Sequence, residues 1–274
     1  MTTTAEVPIA DAPSGGDAPL VELKGVGKSY GNIIALKDIN LRVGAGQVTG
    51  VLGDNGAGKS TLIKIIAGLH QPTEGELLVD GKPMLFHSPK DALANGIATV
   101  YQDLAVVALM PVWRNFFLGQ ELRKKGLLRS LDINAMRATT ISELKKMGID
   151  LPDVDAPIGS LSGGQRQCVA IARAVFFGAR VLILDEPTAA LGVKQSFNVL
   201  KLIHTARAKG ISVIFITHNV HHAYPIGDSF TLLNRGKSLG TFTKDTISKD
   251  EVLDMMAGGA EMQKMIGELD GATI

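Results

Sequence analysis

The chain has 274 residues, of which 45% are hydrophobic and 20% are charged, proportions that allow a globular fold with a buried core. Lysine and arginine (28) nearly balance aspartate and glutamate (27), and the net charge of +1 argues against a nucleic-acid surface, which usually shows a basic excess. A single cysteine, Cys168, excludes an internal disulfide and a multi-cysteine metal site. No apolar run approaches the roughly 18 residues of a membrane helix, so we expect a soluble, cytoplasmic protein.

The two ends of the chain differ in composition from the middle. Residues 1–19 are rich in Thr, Ala, Pro, Gly and Asp and lack the basic start and apolar stretch of a signal peptide, which predicts a disordered tail. Residues 20–258 are predicted to form one domain, and residues 259–274 a C-terminal tail.

The first predicted strands indicate an antiparallel sheet. Apolar and polar residues alternate in Val21–Lys24 and Ile39–Val43, as they do in half-buried strands. Glu76–Val79 is a further predicted strand, and the Asp80-Gly81 pair after it is typical of a tight hairpin turn.

Later strands have the pattern of a sheet covered by helices on both faces. Val181–Leu184 and Val213–Ile216 are continuous apolar runs, and the uncharged segment Val48–Leu52 belongs with them. Between these strands, residues 103–160 are predicted to form a mostly helical insertion. A strand pair around Asn234–Gly236 and a helix over residues 249–257 complete an α/β architecture.

Residues 53–61 fit the phosphate-binding pattern G-x-x-x-x-G-K-[ST], between a predicted buried strand and a predicted helix. Glycines let backbone N–H groups surround phosphate oxygens, and the helix directs its positive end at the same anion. Lys59 is expected to contact the β and γ phosphates of ATP, and the Ser60 hydroxyl to coordinate Mg²⁺. The alternative is a glycine-rich turn without a ligand. The predicted nucleotide-binding residues of this cradle are Gly53, Asp54, Asn55, Gly56, Ala57, Gly58, Lys59, Ser60 and Thr61.

Two carboxylates follow a predicted buried strand, at the end where ligands bind to open α/β sheets. Asp185 is a hard oxygen ligand for the Mg²⁺ ion that Ser60 would hold, and Glu186 is placed to deprotonate an attacking water. Standing alone, the pair would be an ordinary strand-end aspartate with a solvated glutamate; beside the cradle, it favours hydrolysis.

Two more polar residues follow predicted strands. His218 ends the strand Val213–Thr217, where a donor can sense the γ phosphate. Gln102 follows the strand Ala98–Tyr101 and opens the insertion, so its amide can reach the metal or the water. Taken in isolation, His218 would be a satisfied strand-end histidine, and the assignment of Gln102 would be weak.

The segment Leu161–Gln165 has a local role as a helix start, because Ser162 and Gln165 have the spacing of a capping box. Gly163 and Gly164 leave N–H groups bare at that helix end, which creates a second anion site. A well-capped helix start and a phosphate-binding site are therefore compatible interpretations of these residues.

The cradle, Leu161–Gln165 and Val181–Glu186 occur in the order and spacing of the ATP-binding cassette family, which the chain resembles from about residue 20 to residue 258. The resemblance implies an α/β fold with a P-loop NTPase core, an antiparallel β subdomain and a helical insertion at about 103–160. It implies Mg²⁺-dependent ATP hydrolysis by a head-to-tail dimer, in which Ser162, Gly163, Gly164 and Gln165 of one copy close the ATP site of the other.

The same resemblance assigns roles to single residues. Tyr30, otherwise a surface aromatic, would stack on adenine; Gln102 would be the glutamine of the Q-loop and His218 the switch histidine. One departure is Gly192, which stands where the family usually has an aspartate that contacts the partner copy. The stretch Glu186–Gln195 resembles the fructose and ribose importers in particular, which implies carbohydrate import.

An importer subunit of this kind would work at the cytoplasmic face of the inner membrane, on permease subunits, with a periplasmic binding protein delivering the solute. Residues 106–110 with Trp113, Phe116 and Phe117 are the predicted docking surface, and core packing is the alternative for them. Two other classes are weighed: a soluble nucleic-acid ATPase, which usually needs a long coiled coil or a second cassette with a basic linker, and a small-molecule kinase, in which Leu161–Gln165 has no role.

Overall fold

A computed structural model describes residues 19–125 and 130–257 of the chain. The predicted disordered N-terminal tail, residues 1–19, lies outside these ranges except for residue 19, and the predicted C-terminal tail, residues 259–274, lies wholly outside them. Within them, the elements in chain order are β1 Val21–Tyr30, β2 Ile33–Val43, β3 Val48–Leu52, α1 Lys59–Ile66, β4 Glu74–Val79, β5 Lys82–Met84, α2 Pro89–Ala94, β6 Ile97–Val100, α3 Val112–Phe116, α4 Ile133–Lys146, a 3-10 turn Ile158–Ser160, α5 Gly163–Phe176, β7 Val181–Asp185, α6 Val193–Ala208, β8 Ser212–Thr217, α7 Val220–Ile226, β9 Ser229–Asn234, β10 Lys237–Thr243 and α8 Lys249–Met256.

Four of the strands form the predicted antiparallel sheet, in the order β2-β1-β4-β5. The β4–β5 hairpin turns at Asp80 and Gly81, whose φ angles are 51° and 72°. Two successive left-handed residues are what a two-residue hairpin turn with the twist of the flanking strands requires, so this prediction is confirmed.

The other six strands form the core sheet, in the order β10-β9-β3-β8-β7-β6. All neighbours pair in parallel except β9 and β10, so the carboxyl ends of β3, β6, β7 and β8 share one edge. The two continuous apolar runs of the sequence are β7 and β8, and the uncharged segment Val48–Leu52 is β3, as predicted.

Alternate residues of the core sheet belong to two cores. Leu182 and Leu184 of β7 pack with helices α3 to α7, whereas Val181 and Ile183 pack with α1 and the antiparallel sheet. The core sheet is thus the middle layer, and this burial on both faces explains why its strands carry no polar alternation.

The insertion is less helical than the sequence analysis predicted. In the described part of residues 103–160, only α3, α4 and the 3-10 turn are helical. Pro111, Pro152 and Pro157 lack an N–H donor and restrict the residue before them, so the segments around them are irregular. The predicted helix end at Gly148 is confirmed, with a φ angle of 73° just after α4.

Candidate active site

The cradle connects β3 to α1, as its motif predicted. Gly56 and Gly58 have φ angles of 82° and 104°, which side chains disfavour. A Cβ atom at Gly58 would lie 2.6 Å from Leu36 Cδ2, so this position has no room for a larger residue. Glycine at these positions therefore allows the loop to turn tightly. A tight turn of this kind lets successive backbone N–H groups point inward toward a bound phosphate.

Lys59 crosses the mouth of this loop. Its Nζ donates hydrogen bonds to the carbonyl oxygens of Gly53 (2.6 Å) and Asp54 (3.1 Å), and it lies 3.8 Å from Glu186 Oε1. The residue is only 7% exposed, so these oxygens offset the cost of burying its charge. The ammonium group is held where phosphate oxygens would enter the loop.

The fold brings the cradle together with the residues that end neighbouring strands. Ser60 at the start of α1 lines one cleft with Gln102 after β6 and with Asp185 and Glu186 at the end of β7. These residues meet because the parallel strands end at the same edge of the sheet. The full lining in the described residues is Ile33, Ile34, Ala35, Asp54, Asn55, Gly56, Gly58, Lys59, Ser60, Thr61, Gln102, Asp185, Glu186, Arg235 and Gly236.

Asp185 lies half-buried in this cleft. Burial, followed by the neighbouring charge of Glu186, raises the pKa of the Asp185 carboxyl above its usual value, and Lys59 partly opposes that effect. The ionised form of Asp185 is therefore destabilised despite Lys59, and a further cation close to the carboxylate would stabilise it.

Glu186 is the most constrained side chain of the cleft. Its backbone has a φ angle of 46°, in the left-handed region that costs a non-glycine residue conformational energy. Oε2 accepts a hydrogen bond from Thr217 Oγ1 (2.8 Å), and Oε1 accepts one from the backbone N–H of His218 (3.0 Å). Only 10% of the side chain is exposed, so the carboxylate has one fixed orientation.

His218 lies beside Glu186, as the positions of the two residues at the ends of adjacent strands suggested. Its Nδ1 is 2.8 Å from Glu186 Oε1, and 54% of the imidazole is exposed toward solvent. Thr217, which the sequence analysis did not assign, holds the other carboxylate oxygen. Its place at the end of β8, next to His218, was the available signal.

Leu161–Gln165 forms the helix start that the sequence predicted. Ser162 Oγ accepts from the N–H of Gln165 (3.3 Å), and Gln165 Oε1 accepts from the N–H of Ser162 (2.9 Å), which completes the capping box. Close packing explains both glycines, because a Cβ atom at Gly163 would meet Leu191 at 3.1 Å and one at Gly164 would meet Gln195 at 3.0 Å.

This helix start is separate from the cradle of its own chain. Among the described residues that line the cradle cleft, none belongs to Ser162–Gln165. Gly163 lines a second cleft with Gln102, Glu186, Pro187 and Ala189–Leu191. The two predicted phosphate-binding elements therefore line different clefts of a single copy, and these clefts share Gln102 and Glu186.

Tyr30 ends β1 and is not among the residues that line the cradle cleft. It pairs across the β1–β2 turn with Ile33, which does line the cleft. The residue is 41% exposed, and its ring contacts that of His70 edge-on, with ring centroids 5.6 Å apart. The tyrosine thus lies one residue pair away from the cleft, and its contact with adenine stays a prediction.

The cleft also contains residues that the sequence analysis missed. Ile33 and Ile34 are 70% and 63% exposed at its apolar side, and Arg235 and Gly236 come from the β9–β10 turn. These residues belong to no local motif, and only the packing of two distant hairpins brings them to the cradle.

The predicted docking surface divides into two parts. Trp113, Phe116 and Phe117 are buried, and the two phenylalanines pack against Phe176 and Phe177, so the docking assignment was wrong for these three residues. Aromatic rings of this size form the core between α3 and α5. Leu109, in contrast, is 89% exposed.

Comparisons with known proteins agree with this site. A family model described as ABC transporter matches residues 36–189. The chain is 41% identical over 249 residues to a xylose/arabinose import ATP-binding protein of Sulfolobus acidocaldarius, covering 91% of this chain and 98% of that protein. It is 40% identical to a fructose import ATP-binding protein of Rhizobium meliloti, covering 89% and 95%.

A solved structure with 28% identity is an ATP-binding cassette in dimeric form, in a post-hydrolysis state with ADP and phosphate. It has a TM-score of 0.69 and the match covers 82% of this chain and 98% of that one. The family model, the relatives that match along nearly their whole length and this solved cassette agree: the chain belongs to the ABC transporter family, as one of its ATP-hydrolysing cassettes.

Proposed function

We propose that the chain is the ATP-hydrolysing subunit of a sugar importer, that it acts as a pair of copies on membrane permease subunits, and that nucleic acid is not its partner. The cradle cleft with Lys59, Asp185 and Glu186 carries the proposal. The sugar class is supported by the names of the two relatives that match along nearly their whole length.

Mg²⁺ is the metal that fits the oxygen donors of the cleft. The Ser60 hydroxyl, the Asp185 carboxylate and the Gln102 amide line one wall together and are the hard ligands that this ion prefers. A cation there would also offset the cost of an ionised Asp185, whose pKa burial raises. When bound, Mg²⁺ would neutralise phosphate charge.

The residues of the chain are arranged for hydrolysis of the terminal phosphate. Lys59 would contact phosphate oxygens within the loop. Glu186 would accept a proton from water as the water oxygen bonds to the γ phosphorus and the bond to the bridging oxygen breaks, giving ADP and phosphate. Thr217 and His218 keep the carboxylate in the orientation that this proton transfer requires.

A second copy would complete the site. The start of α5, with the positive end of its helix dipole, would favour an anion, and the cradle cleft of the same chain does not include it. Placed opposite the cradle of a partner copy, Ser162, Gly163 and Gly164 would contact the γ phosphate. Hydrolysis removes those contacts and so favours reopening.

Permease docking would use the apolar groove beside β6. Leu93, Tyr101 and Val106 line it between the edge of the core sheet and α5, and Leu109 projects from the adjacent loop.

The residues that the structure describes include no helix long and apolar enough to span the bilayer. The chain would thus be peripheral, at the cytoplasmic face of the inner membrane, with a periplasmic binding protein supplying the sugar to the permease.

ATP turnover with and without partners tests the proposal. Glu186→Gln should bind ATP with nearly unchanged affinity, while turnover falls about 10²- to 10⁴-fold as expected for loss of a general base. The wild-type rate should rise with vesicles that contain the permease and should not respond to DNA. Stimulation by DNA alone would contradict the transport assignment.

Leu109→Asp separates docking from nucleotide binding. We expect it to weaken binding to permease vesicles and to leave ATP affinity unchanged, because the leucine is exposed and does not line the cradle cleft. Ile141→Asp, at an exposed site on α4 of the same insertion, is the matched control. Equal effects of both variants on docking would reject this surface.

A further inference from the structure

The turn between β9 and β10 contains an unusual residue. Arg235 and Gly236 form a two-residue turn with φ angles of 46° and 78°, and both angles are left-handed. Asparagine, aspartate or glycine is preferred at the first of these positions, because other side chains strain the backbone. Arginine therefore destabilises the turn relative to asparagine or glycine. Backbone strain of this kind is common at functional sites, which suggests a function for the Arg235 side chain.

This turn is fixed against the cradle. The N–H of Gly236 donates to Ala57 O (3.0 Å), and the N–H of Lys37 donates to Gly236 O (2.8 Å). A Cβ atom at Gly236 would lie 2.6 Å from Ala35 O, so the turn approaches the β2 backbone as closely as glycine allows. Arg235 therefore starts from a rigid base next to the phosphate loop.

Arg235 adds a positive charge to the cradle cleft. Of the described residues around the cleft, Lys59 and Arg235 carry positive charge, and they belong to elements far apart in sequence. A guanidinium group presents a planar set of donors that matches phosphate oxygens, and it stays protonated at any physiological pH.

We propose that Arg235 is a nucleotide-binding residue whose guanidinium contacts the phosphate chain of the ATP held by the cradle of the same copy. The inference rests on nucleotide binding at the cradle, as proposed above. Arg235 would be a second positively charged contact for the phosphates besides Lys59, from a turn far from the cradle motif in the sequence. A contact of this kind would also explain why the turn keeps a strained arginine.

Arg235→Asn is the informative variant, because asparagine suits the left-handed turn position and removes the guanidinium. We expect its affinity for N-methylanthraniloyl-ATP to fall about 5- to 30-fold, the range for loss of one charged contact at a partly solvated site. Its melting temperature should equal or exceed that of the wild type. Lys237→Asn, which removes an exposed charge two residues away, is the matched control and should change the affinity less than twofold.

The phosphate assignment is tested by comparing ligands. The loss should be largest for ATP and absent for adenosine; an equal loss for both would place Arg235 at the nucleoside and overturn the proposal, as would Arg235→Asn binding ATP within twofold of wild type. Lys59→Ala distinguishes this failure from failure of the proposed function. If the wild type binds ATP no better than Lys59→Ala, the cradle itself is not the ATP site.

Discussion

Thr217 gives the sharpest test of how the chain positions Glu186. Its hydroxyl donates to Glu186 Oε2 (2.8 Å) and accepts from the N–H of Asn219 (3.0 Å), and the residue is 1% exposed at the end of β8. Thr217→Val keeps the shape of the side chain and removes both hydrogen bonds. The carboxylate then keeps its hydrogen bonds with His218 and its ion pair with Lys59, both at Oε1, and Oε2 loses its donor.

The two lost hydrogen bonds set the expected size of the effects on kcat and on the free energy of unfolding. A hydrogen bond to a charged group contributes about 1.5–3 kcal/mol, and losing about half of that orientation energy in the transition state slows the reaction roughly tenfold. We therefore expect kcat to fall about tenfold, less than for Glu186→Gln, with ATP affinity unchanged. The unfolding free energy should fall by about 1–3 kcal/mol, because the N–H of Asn219 loses its partner.

Steady-state ATPase assays with nucleotide titrations and thermal melts measure these quantities. Thr205→Val is the matched control, since the Thr205 hydroxyl donates to Lys201 O within α6, at an exposed hydrogen bond away from the cleft. An unchanged kcat in a folded Thr217→Val protein would refute the idea that Thr217 orients the base. A tenfold change in ATP affinity would show instead that the threonine acts through the cradle.

Three further predictions concern stability and reactivity. Asp185→Asn should raise the melting temperature of the nucleotide-free protein at pH 7 and abolish turnover. The raised pKa of Asp185 means that its ionisation destabilises the fold as pH rises, and the amide removes that penalty; the gain should vanish in melts at pH 3, where the carboxyl is protonated. Cys168, whose pKa burial raises to about 11, should react with a thiol reagent at pH 7.5 only after denaturation. Gly192→Asp should stabilise the protein by a few tenths of a kcal/mol (about 0.3) in urea titrations, because position 192 is the N-cap of α6, has open space and lacks a side-chain cap, and glycine is only slightly worse than aspartate at an N-cap; a lowered midpoint would contradict that interpretation.

The parts of the site that could be predicted from the sequence are those that a short segment specifies. The cradle needs glycines, a lysine and a hydroxyl within nine residues, and the strand before Asp185 and Glu186 has its own apolar signature. The capping pair Ser162 and Gln165 is equally local. These predictions agree with the fold because each motif carries its own backbone geometry.

The residues that were missed or misassigned depend on contacts between distant segments. Arg235 reaches the cleft because β9 pairs with β3, so that the following turn lies over the cradle. Trp113 was expected at a docking surface, but it is buried and its Nε1 donates to Asp155 Oδ1 (2.9 Å), 42 residues away. Local apolar composition does not distinguish a core residue from a docking residue, because both are apolar and only packing separates them.

The central claim is that the α5 start of a second copy completes the ATP site, because the α5 start does not line the cradle cleft of its own chain. A cross-linking measurement tests it directly. Asn55→Cys is introduced into one chain and Ser162→Cys into another, and both chains also carry Cys168→Ser and Glu186→Gln. The two proteins are then mixed on the permease with Mg·ATP and a short bis-maleimide. The account predicts an ATP-dependent product at twice the 29.0 kDa mass of the chain, which ADP does not support and neither cysteine variant gives alone. No product between chains in the ATP-loaded complex, or a link within one chain carrying both cysteines, would contradict it.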